Sequence, residues 1–115
     1  RKLADLGIER DTVVVFLTDN GGTAGVPVFN AGMRAQKGTP YLGGIRVPLF
    51  VRWPGKFAPA DVSAVAAHLD LFPTFAELTG AKVPAGVVLD GRSLVPLLTN
   101  PKADWPDRTL FTHVG

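Results

Sequence analysis

The sequence has no cysteine among its 115 residues. Disulfides, thiolate metal sites and a cysteine nucleophile are therefore excluded from this stretch. Long apolar runs are also missing: the longest covers residues 13–17, whereas a transmembrane helix needs about 20 apolar residues. An excess of one charge is lacking too, because 12 basic and 10 acidic residues give a net charge of +2, too small to indicate nucleic-acid binding.

The residues that are present have a globular composition. Apolar residues make up 46% of the chain and charged residues 19%, as in folded domains. The 13 glycines and 10 prolines argue against an all-helical bundle. The length allows at most one ordinary domain. Because the sequence starts at Arg1 without a Met or an apolar signal segment, we expect residues 1–115 to be a single partial domain of a longer polypeptide.

The apolar pattern predicts an α/β fold. Residues 1–6 suggest the end of a helix, which Gly7 would terminate. Residues 12–18 are apolar and β-branched without alternation, which is typical of a strand covered on both faces, as in a parallel sheet. Three further elements are predicted: a strand over residues 45–53, a helix capped by Asp70 that ends at Gly80, and a strand over residues 109–114.

Two polar side chains follow the first predicted strand. Asp19 and Asn20 stand at its carboxyl end, where ligands collect in open α/β sheets. A carboxylate beside an amide oxygen suits Ca²⁺ or Mg²⁺. Asn20-Gly21 is equally typical of a tight turn, so the residues alone leave a metal site and a turn both open.

Lys37 is the second candidate. It lies on a glycine-rich loop, where a lysine can hold a tetrahedral oxyanion as a compact charge. A solvated loop lysine is the alternative, and no Gly-Lys-Ser/Thr sequence indicates a Walker A loop. The two histidines give weaker evidence of a functional site. His68 lies in an apolar stretch typical of a structural residue, and His113 has no evident partner in the sequence.

Five motifs occur in a fixed order along almost the whole chain. They are TVVVFLTDNGG (12–22), KGTPYLGGIRVP (37–48), VRWPG (51–55), LDLFPT (69–74) and DGRSL (90–94). Each is weak alone. In this order and spacing they resemble the C-terminal part of the catalytic domain of type I sulfatases, in the alkaline phosphatase superfamily.

The resemblance implies a fold, a reaction and roles for three residues. The fold would be part of an alkaline-phosphatase-like α/β sheet with flanking helices. The reaction would be hydrolysis of carbohydrate or aryl sulfate esters, with a formylglycine nucleophile and a divalent cation, usually Ca²⁺ (or Mg²⁺). Asp19 and Asn20 would be metal ligands, and Lys37 would contact the sulfate.

The resemblance also sets limits on this chain. The Cys/Ser-x-Pro-x-Arg motif that yields formylglycine is missing, so the nucleophile would lie elsewhere. We therefore expect the isolated chain to be inactive and to bind metal poorly. Because its sheet would be incomplete, we expect marginal stability, self-association through open strand edges, or folding only beside the rest of the enzyme. A sulfated small molecule or glycan would be its partner, with no nucleic acid and no membrane span. The family implies a periplasmic or secreted location.

One residue departs from the family pattern, and two alternative functions remain open. Leu42 stands where the family usually has Glu, an acid that could pair with Arg46. A phosphodiesterase or phosphonate hydrolase of the same superfamily is the first alternative. Such enzymes often bind two metals and place a histidine after the aspartate. Asn20 at that position favours a single metal ion and a sulfate ester substrate. The second is a non-catalytic module that binds a sulfated ligand.

Overall fold

A computed structural model describes residues 1–113. These residues fall into two compact units. The helical unit comprises Arg1–Val13 and Trp53–Arg108, and the strand unit comprises Val14–Arg52 with residues 109–113.

The strand unit is built on one pair of strands. Strand β1 (Val14–Leu17) pairs with β2 (Leu49–Arg52), and Val14 lies opposite Arg52. The pairing is antiparallel, and within residues 1–113 the sheet has no third strand. The α/β prediction is confirmed, but the expectation of a parallel strand covered on both faces is wrong for the described residues. β1 instead alternates between exposed and half-buried side chains.

One face of the strand pair is open and carries two aromatic rings. Phe16 and Phe50 lie side by side on it, with ring centroids 6.1 Å apart. Their exposed fractions are 59% and 65%. The apolar run of β1 predicted burial on both faces. Within this unit only the other face is covered, and Val15 and Val51 are half-buried there.

The second strand is shorter than the pattern predicts. Residues 45–53 were expected to be extended, but a helical turn, α2 (Leu42–Ile45), precedes the strand, and Arg46 N donates to Leu42 O at 2.9 Å. Pro48 has no N–H to donate to a ladder, so pairing begins only at Leu49.

The helical unit contains α1 (Lys2–Asp5), α3 (Leu71–Thr79) and α4 (Val95–Thr99). Short 3₁₀ turns cover Glu9–Asp11 and His68–Asp70. Gly7 and Gly80 both adopt φ of 70°, a left-handed conformation that glycine tolerates best. Both predicted glycine helix ends are therefore confirmed.

The buried centre of the helical unit joins α3 to the segment before α4. Leu94 and Leu97 are its buried apolar side chains. The buried Thr74 hydroxyl donates to Asp70 O at 2.6 Å and accepts from Leu94 N at 2.8 Å. Asp70 does precede the predicted helix, but its side chain makes no capping bond to α3, so that part of the prediction is wrong.

The predicted strand over residues 109–114 is not formed over residues 109–113, and Val114 lies outside the described residues. No helix in the described part of the chain is long and apolar enough to span a membrane.

Candidate functional site

A cleft of about 490 Å³ opens in the strand unit. Asp19, Asn20 and Lys37 all line it, together with Arg46. The three residues singled out from the sequence therefore share one cavity, although 17 positions separate Asn20 from Lys37. Arg46 is an addition to the residues predicted from the sequence, which suggested only an ion pair between Arg46 and an acid at position 42.

The turn after β1 presents Asp19 and Asn20. Thr18 donates its hydroxyl to Asn20 O at 3.1 Å, and Gly21 N donates to Gly44 O at 2.9 Å. These bonds fix the backbone on both sides of the pair. Asp19 and Asn20 lie in a bend that no hydrogen-bonded tight turn closes, and both residues line the cleft.

A second loop brings Lys37 to the same place. Lys37 N donates to Gly22 O at 3.0 Å, which ties this loop to the turn that carries Asp19. The Asn30 side chain braces the loop from within, since its Nδ2 donates to Met33 O and to Ala35 O, both at 2.8 Å. Main-chain bonds therefore set the position of the lysine backbone.

Close backbone packing holds the two loops against α2. A Cβ on Gly21 would lie 1.8 Å from Gly43 O, and one on Gly43 would lie 2.1 Å from Ala35 O. A Cβ on Gly44 would lie 2.2 Å from Thr39 O. Glycine is the one residue that fits at these contacts. The Gly-Gly pairs in the sequence could have indicated close backbone packing. Their spacing alone does not show which backbone segments come into contact.

Within the described residues, the charged side chains of the cleft have no ion-pair or hydrogen-bond partners. Among residues 1–113, no hydrogen bond or ion pair engages the side chains of Asp19, Lys37 or Arg46, all of which are exposed. Asp19 and Lys37 share the cleft without forming an ion pair with each other. One anionic and two cationic groups are therefore free to meet a bound ion or substrate.

The donor set fits a hard cation in part. The carboxylate of Asp19 and the amide oxygen of Asn20 are ligands of the kind Ca²⁺ and Mg²⁺ prefer. Ca²⁺ takes 6–8 oxygen ligands in proteins. Within the described residues, no group of three or more His, Cys, Asp or Glu side chains is placed to hold a metal. This stretch can therefore contribute ligands but not a complete coordination shell.

Neither histidine belongs to the cleft. His68 lies in the 3₁₀ turn of the helical unit, and His113 is exposed and absent from the cleft lining.

A buried carboxylate organises the helical unit, and sequence reasoning missed it. Asp70 is fully buried and accepts from Ala67 N at 2.8 Å, Arg92 N at 3.0 Å and Arg108 Nη1 at 2.7 Å. A further bond joins its Oδ2 to Arg108 Nη2. Burial raises the pKa of Asp70, but the hydrogen bonds from Arg108 and the two backbone amides outweigh it and hold that pKa below its ordinary value. The hydrogen bond to Asp70 raises the pKa of Arg108.

Comparison with known sequences identifies the family. The sulfatase family model matches residues 1–81. The chain belongs to the sulfatase family. Arylsulfatase A of Homo sapiens is 42% identical over 120 aligned residues, which cover 96% of this chain and 22% of that protein. A sulfatase of Formosa agariphila is 41% identical over 112 residues, covering 93% of this chain and 20% of that protein. The chain thus spans about a fifth of the length of these relatives.

Solved sulfatase structures share the fold. Ps i-CgsB, in complex with k-i-k-neocarrahexaose, superposes with a TM-score of 0.77 at 37% identity and covers 88% of this chain and 23% of its own. A sulfatase from work on the metabolism of multiple glycosaminoglycans by Bacteroides thetaiotaomicron gives a TM-score of 0.71 at 30% identity, covering 92% and 21%. The resemblance to type I sulfatases is confirmed, and neither alternative class is favoured.

Proposed function

We propose that this chain forms part of the active site of an enzyme that hydrolyses sulfate esters. Asp19 and Asn20 act as metal ligands, and Lys37 contacts the sulfate group. The observation that carries the proposal is the shared cleft: the three side chains line one cavity, and none of them has a partner within the described residues.

The cleft is lined by polar groups of two kinds. Asp19 and Asn20 offer oxygen atoms to a cation, while Lys37 and Arg46 offer positive charge to an anion. A sulfate ester carries negative charge on its nonbridging oxygens, and this charge shifts toward the leaving oxygen in the transition state. Groups already fixed in place stabilise such charge without reorganisation. The bond between Lys37 N and Gly22 O places the lysine backbone beside the metal-binding turn.

The rest of the chemistry comes from groups outside this chain. A divalent cation at Asp19 and Asn20, with Ca²⁺ the first choice and Mg²⁺ the second, would polarise the sulfate oxygens, and a formylglycine elsewhere in the enzyme would attack sulfur. This chain's own residues bind and orient. Asp19 and Asn20 hold the cation in the cleft, and Lys37 holds the sulfate by its ammonium group.

The substrate class we propose is a sulfated glycan or an aryl sulfate. Two observations on relatives support it: one neighbour is described in complex with an oligosaccharide, and one relative is named an arylsulfatase. The cleft of this chain adds an apolar wall, since Val26, Phe29 and Met33 line it beside the polar groups. Such a wall suits the ring face of a sugar or an aryl group better than a small polar alcohol.

The test uses the intact enzyme and two pairs of matched variants. Asp19→Ala is compared with Asp61→Ala, and Lys37→Ala with Lys82→Ala. Asp61 and Lys82 are exposed and lie outside the cleft. Hydrolysis of an aryl sulfate is measured with and without added Ca²⁺, and Ca²⁺ binding is followed by calorimetry.

We expect Asp19→Ala to abolish turnover and weaken Ca²⁺ binding. Lys37→Ala should lower turnover by about 10²–10³, as for removal of one preorganised donor, and leave Ca²⁺ binding intact. The two control variants should keep wild-type rates. Near-normal turnover in Lys37→Ala, or full activity of metal-stripped Asp19→Ala, would refute the assignments.

A further inference from the structure

A second cavity lies in the helical unit, and the assignments above make no use of it. Its volume is about 150 Å³, several times the roughly 30 Å³ that one water molecule occupies in the liquid. Arg92, Trp105 and Arg108 line one part of it, and Ser63 and Asp107 also contribute. The cavity therefore has room for a small polar group, and two arginines stand at its wall.

Three buried donors at this cavity lack an acceptor. Arg92 Nε, Trp105 Nε1 and Arg108 Nε are all inaccessible to solvent and have no hydrogen-bond partner within the described residues. A buried polar group left without a partner costs about 1–3 kcal/mol, and more when it is charged. One such donor in a folded domain is unremarkable, but three on residues that line one cavity indicate an acceptor that this part of the chain does not supply.

The two arginines differ in whether a carboxylate neutralises their positive charge. Arg108 is neutralised, because Asp70 accepts from both its Nη1 and its Nη2. Arg92 forms no ion pair among residues 1–113: its Nη2 donates to Pro106 O at 2.6 Å, and its guanidinium carbon lies 4.2 Å from the centre of the Trp105 ring. Arg92 is therefore a half-buried cation held in place by an aromatic ring and a carbonyl, with no counter-charge.

The remaining charged group at the cavity does not supply that counter-charge. Asp107 lines the cavity, but its side chain is exposed and makes no hydrogen bond or ion pair in the described structure. Water could satisfy single donors, yet it would leave Arg92 without an anion. A carboxylate or sulfate group meets both needs, because it presents several acceptor oxygens and a negative charge.

We propose that the cavity between Arg92, Trp105 and Arg108 is a binding site for a small oxyanion group, a carboxylate or a sulfate. It shares no lining residue with the cleft that holds Lys37. The group can be free in solution or can be carried on a larger molecule such as an acidic glycan. The uncompensated positive charge of Arg92, which lines the cavity, is the feature that would attract it.

The test follows the Trp105 indole N–H by NMR in intact enzyme labelled with ¹⁵N-tryptophan. Trp105→Phe identifies the resonance by its loss while keeping an aromatic ring under Arg92. Sodium acetate and sodium sulfate are titrated separately, at constant ionic strength balanced with sodium chloride. All titrations use the Lys37→Ala background, so that binding in the proposed active site does not contribute.

We expect the indole resonance to shift saturably with acetate, sulfate or both, and the response to each salt identifies which oxyanion the site takes. Arg92→Gln should weaken that binding by about 10–100-fold, the effect of losing one charged hydrogen-bond partner. Arg46→Gln, a cation removed from the other cavity, should not change it.

Three results would overturn the proposal: no saturable shift with either salt, a shift unchanged in Arg92→Gln, or an equal shift with chloride alone. Because the signal is binding and not turnover, failure of the sulfatase assignment leaves this result unaffected.

Discussion

Gly21→Ala should disable the proposed active site without touching a charged group. The new Cβ would lie 1.8 Å from Gly43 O, 2.7 Å from Gly43 C and 2.8 Å from Gly44 Cα. Ordinary contacts with a Cβ begin near 3.4 Å, so the turn and α2 must separate by more than 1 Å. That separation also breaks the bond from Gly21 N to Gly44 O.

Two consequences of different size follow from this displacement. Overpacking costs about 1–3 kcal/mol of stability, so the intact enzyme should still fold. The effect on rate should be larger, because Asp19 and Asn20 sit directly before Gly21 and move with it. A misplacement of about 1 Å in a catalytic constellation can lower the rate about 10²-fold. We therefore expect kcat for an aryl sulfate to fall by about 10²-fold, with weaker Ca²⁺ binding.

The matched control for this prediction is Gly25→Ala. Gly25 stands on the same loop, has no positive φ, and its Cβ would meet nothing within 4 Å. Circular dichroism and thermal unfolding check that both variants fold, and kcat and Ca²⁺ affinity are then compared. If folded Gly21→Ala keeps kcat and Ca²⁺ affinity within twofold of Gly25→Ala, the argument that close backbone packing positions Asp19 is refuted.

Four further predictions concern Asp70, Lys37 and the isolated chain. Asp70→Asn leaves Arg108 without its counter-charge and should lower the free energy of unfolding by about 3–5 kcal/mol in urea titrations, whereas exposed Asp61→Asn should change it little. The pKa of Asp70 is lowered on folding, so its contribution to stability is present above the ordinary value of 3.8 and is lost as the pH falls through the lowered value; acid titrations of unfolding should show this loss in the wild type and not in Asp70→Asn. Lys37→Arg should restore only part of the turnover lost in Lys37→Ala, since a planar guanidinium does not replace a compact ammonium, and equal rates for Lys37→Arg and wild type in the aryl-sulfate assay would contradict this. The isolated 115-residue chain should neither hydrolyse an aryl sulfate nor bind Ca²⁺ with micromolar affinity in calorimetry, because Asp19 and Asn20 supply few of the 6–8 oxygens required.

Local signals in the sequence predicted the helix ends and the cleft residues well. Gly7 and Gly80 end their helices in the left-handed conformation, which is a property of a single residue and so can be read locally. Asp19, Asn20 and Lys37 were found from residue chemistry and from the order of five motifs. Their placement in one cleft follows from the fold, whereas their roles remain predictions.

Strand pairing was harder to predict because it depends on residues far apart. The apolar run in β1 suggested cover on both faces, yet Phe16 and Phe50 lie open on one face of an antiparallel pair. An apolar run shows what a strand can bury but not which segment covers it. The chain spans about a fifth of its relatives' length, so its own residues cannot supply every neighbour that the pattern anticipates.

The main feature that the sequence did not predict is the hydrogen-bond network around Asp70, because most of its donors are distant in the chain. The sequence suggested only a local role for Asp70, as a helix cap, because capping connects positions two or three apart. Two of its three donor residues, Arg92 and Arg108, lie 22 and 38 positions along the chain. Neither arginine has a sequence signal that separates it from a solvated surface charge. A buried carboxylate nevertheless needs donors, and Asp70 gathers two backbone amides and one guanidinium. This network holds Arg108 beside Trp105, with their centres 5.9 Å apart, and so builds the wall of the cavity where Arg92 has no counter-charge. The proposed oxyanion site is therefore a consequence of an ion pair that only the folded chain reveals.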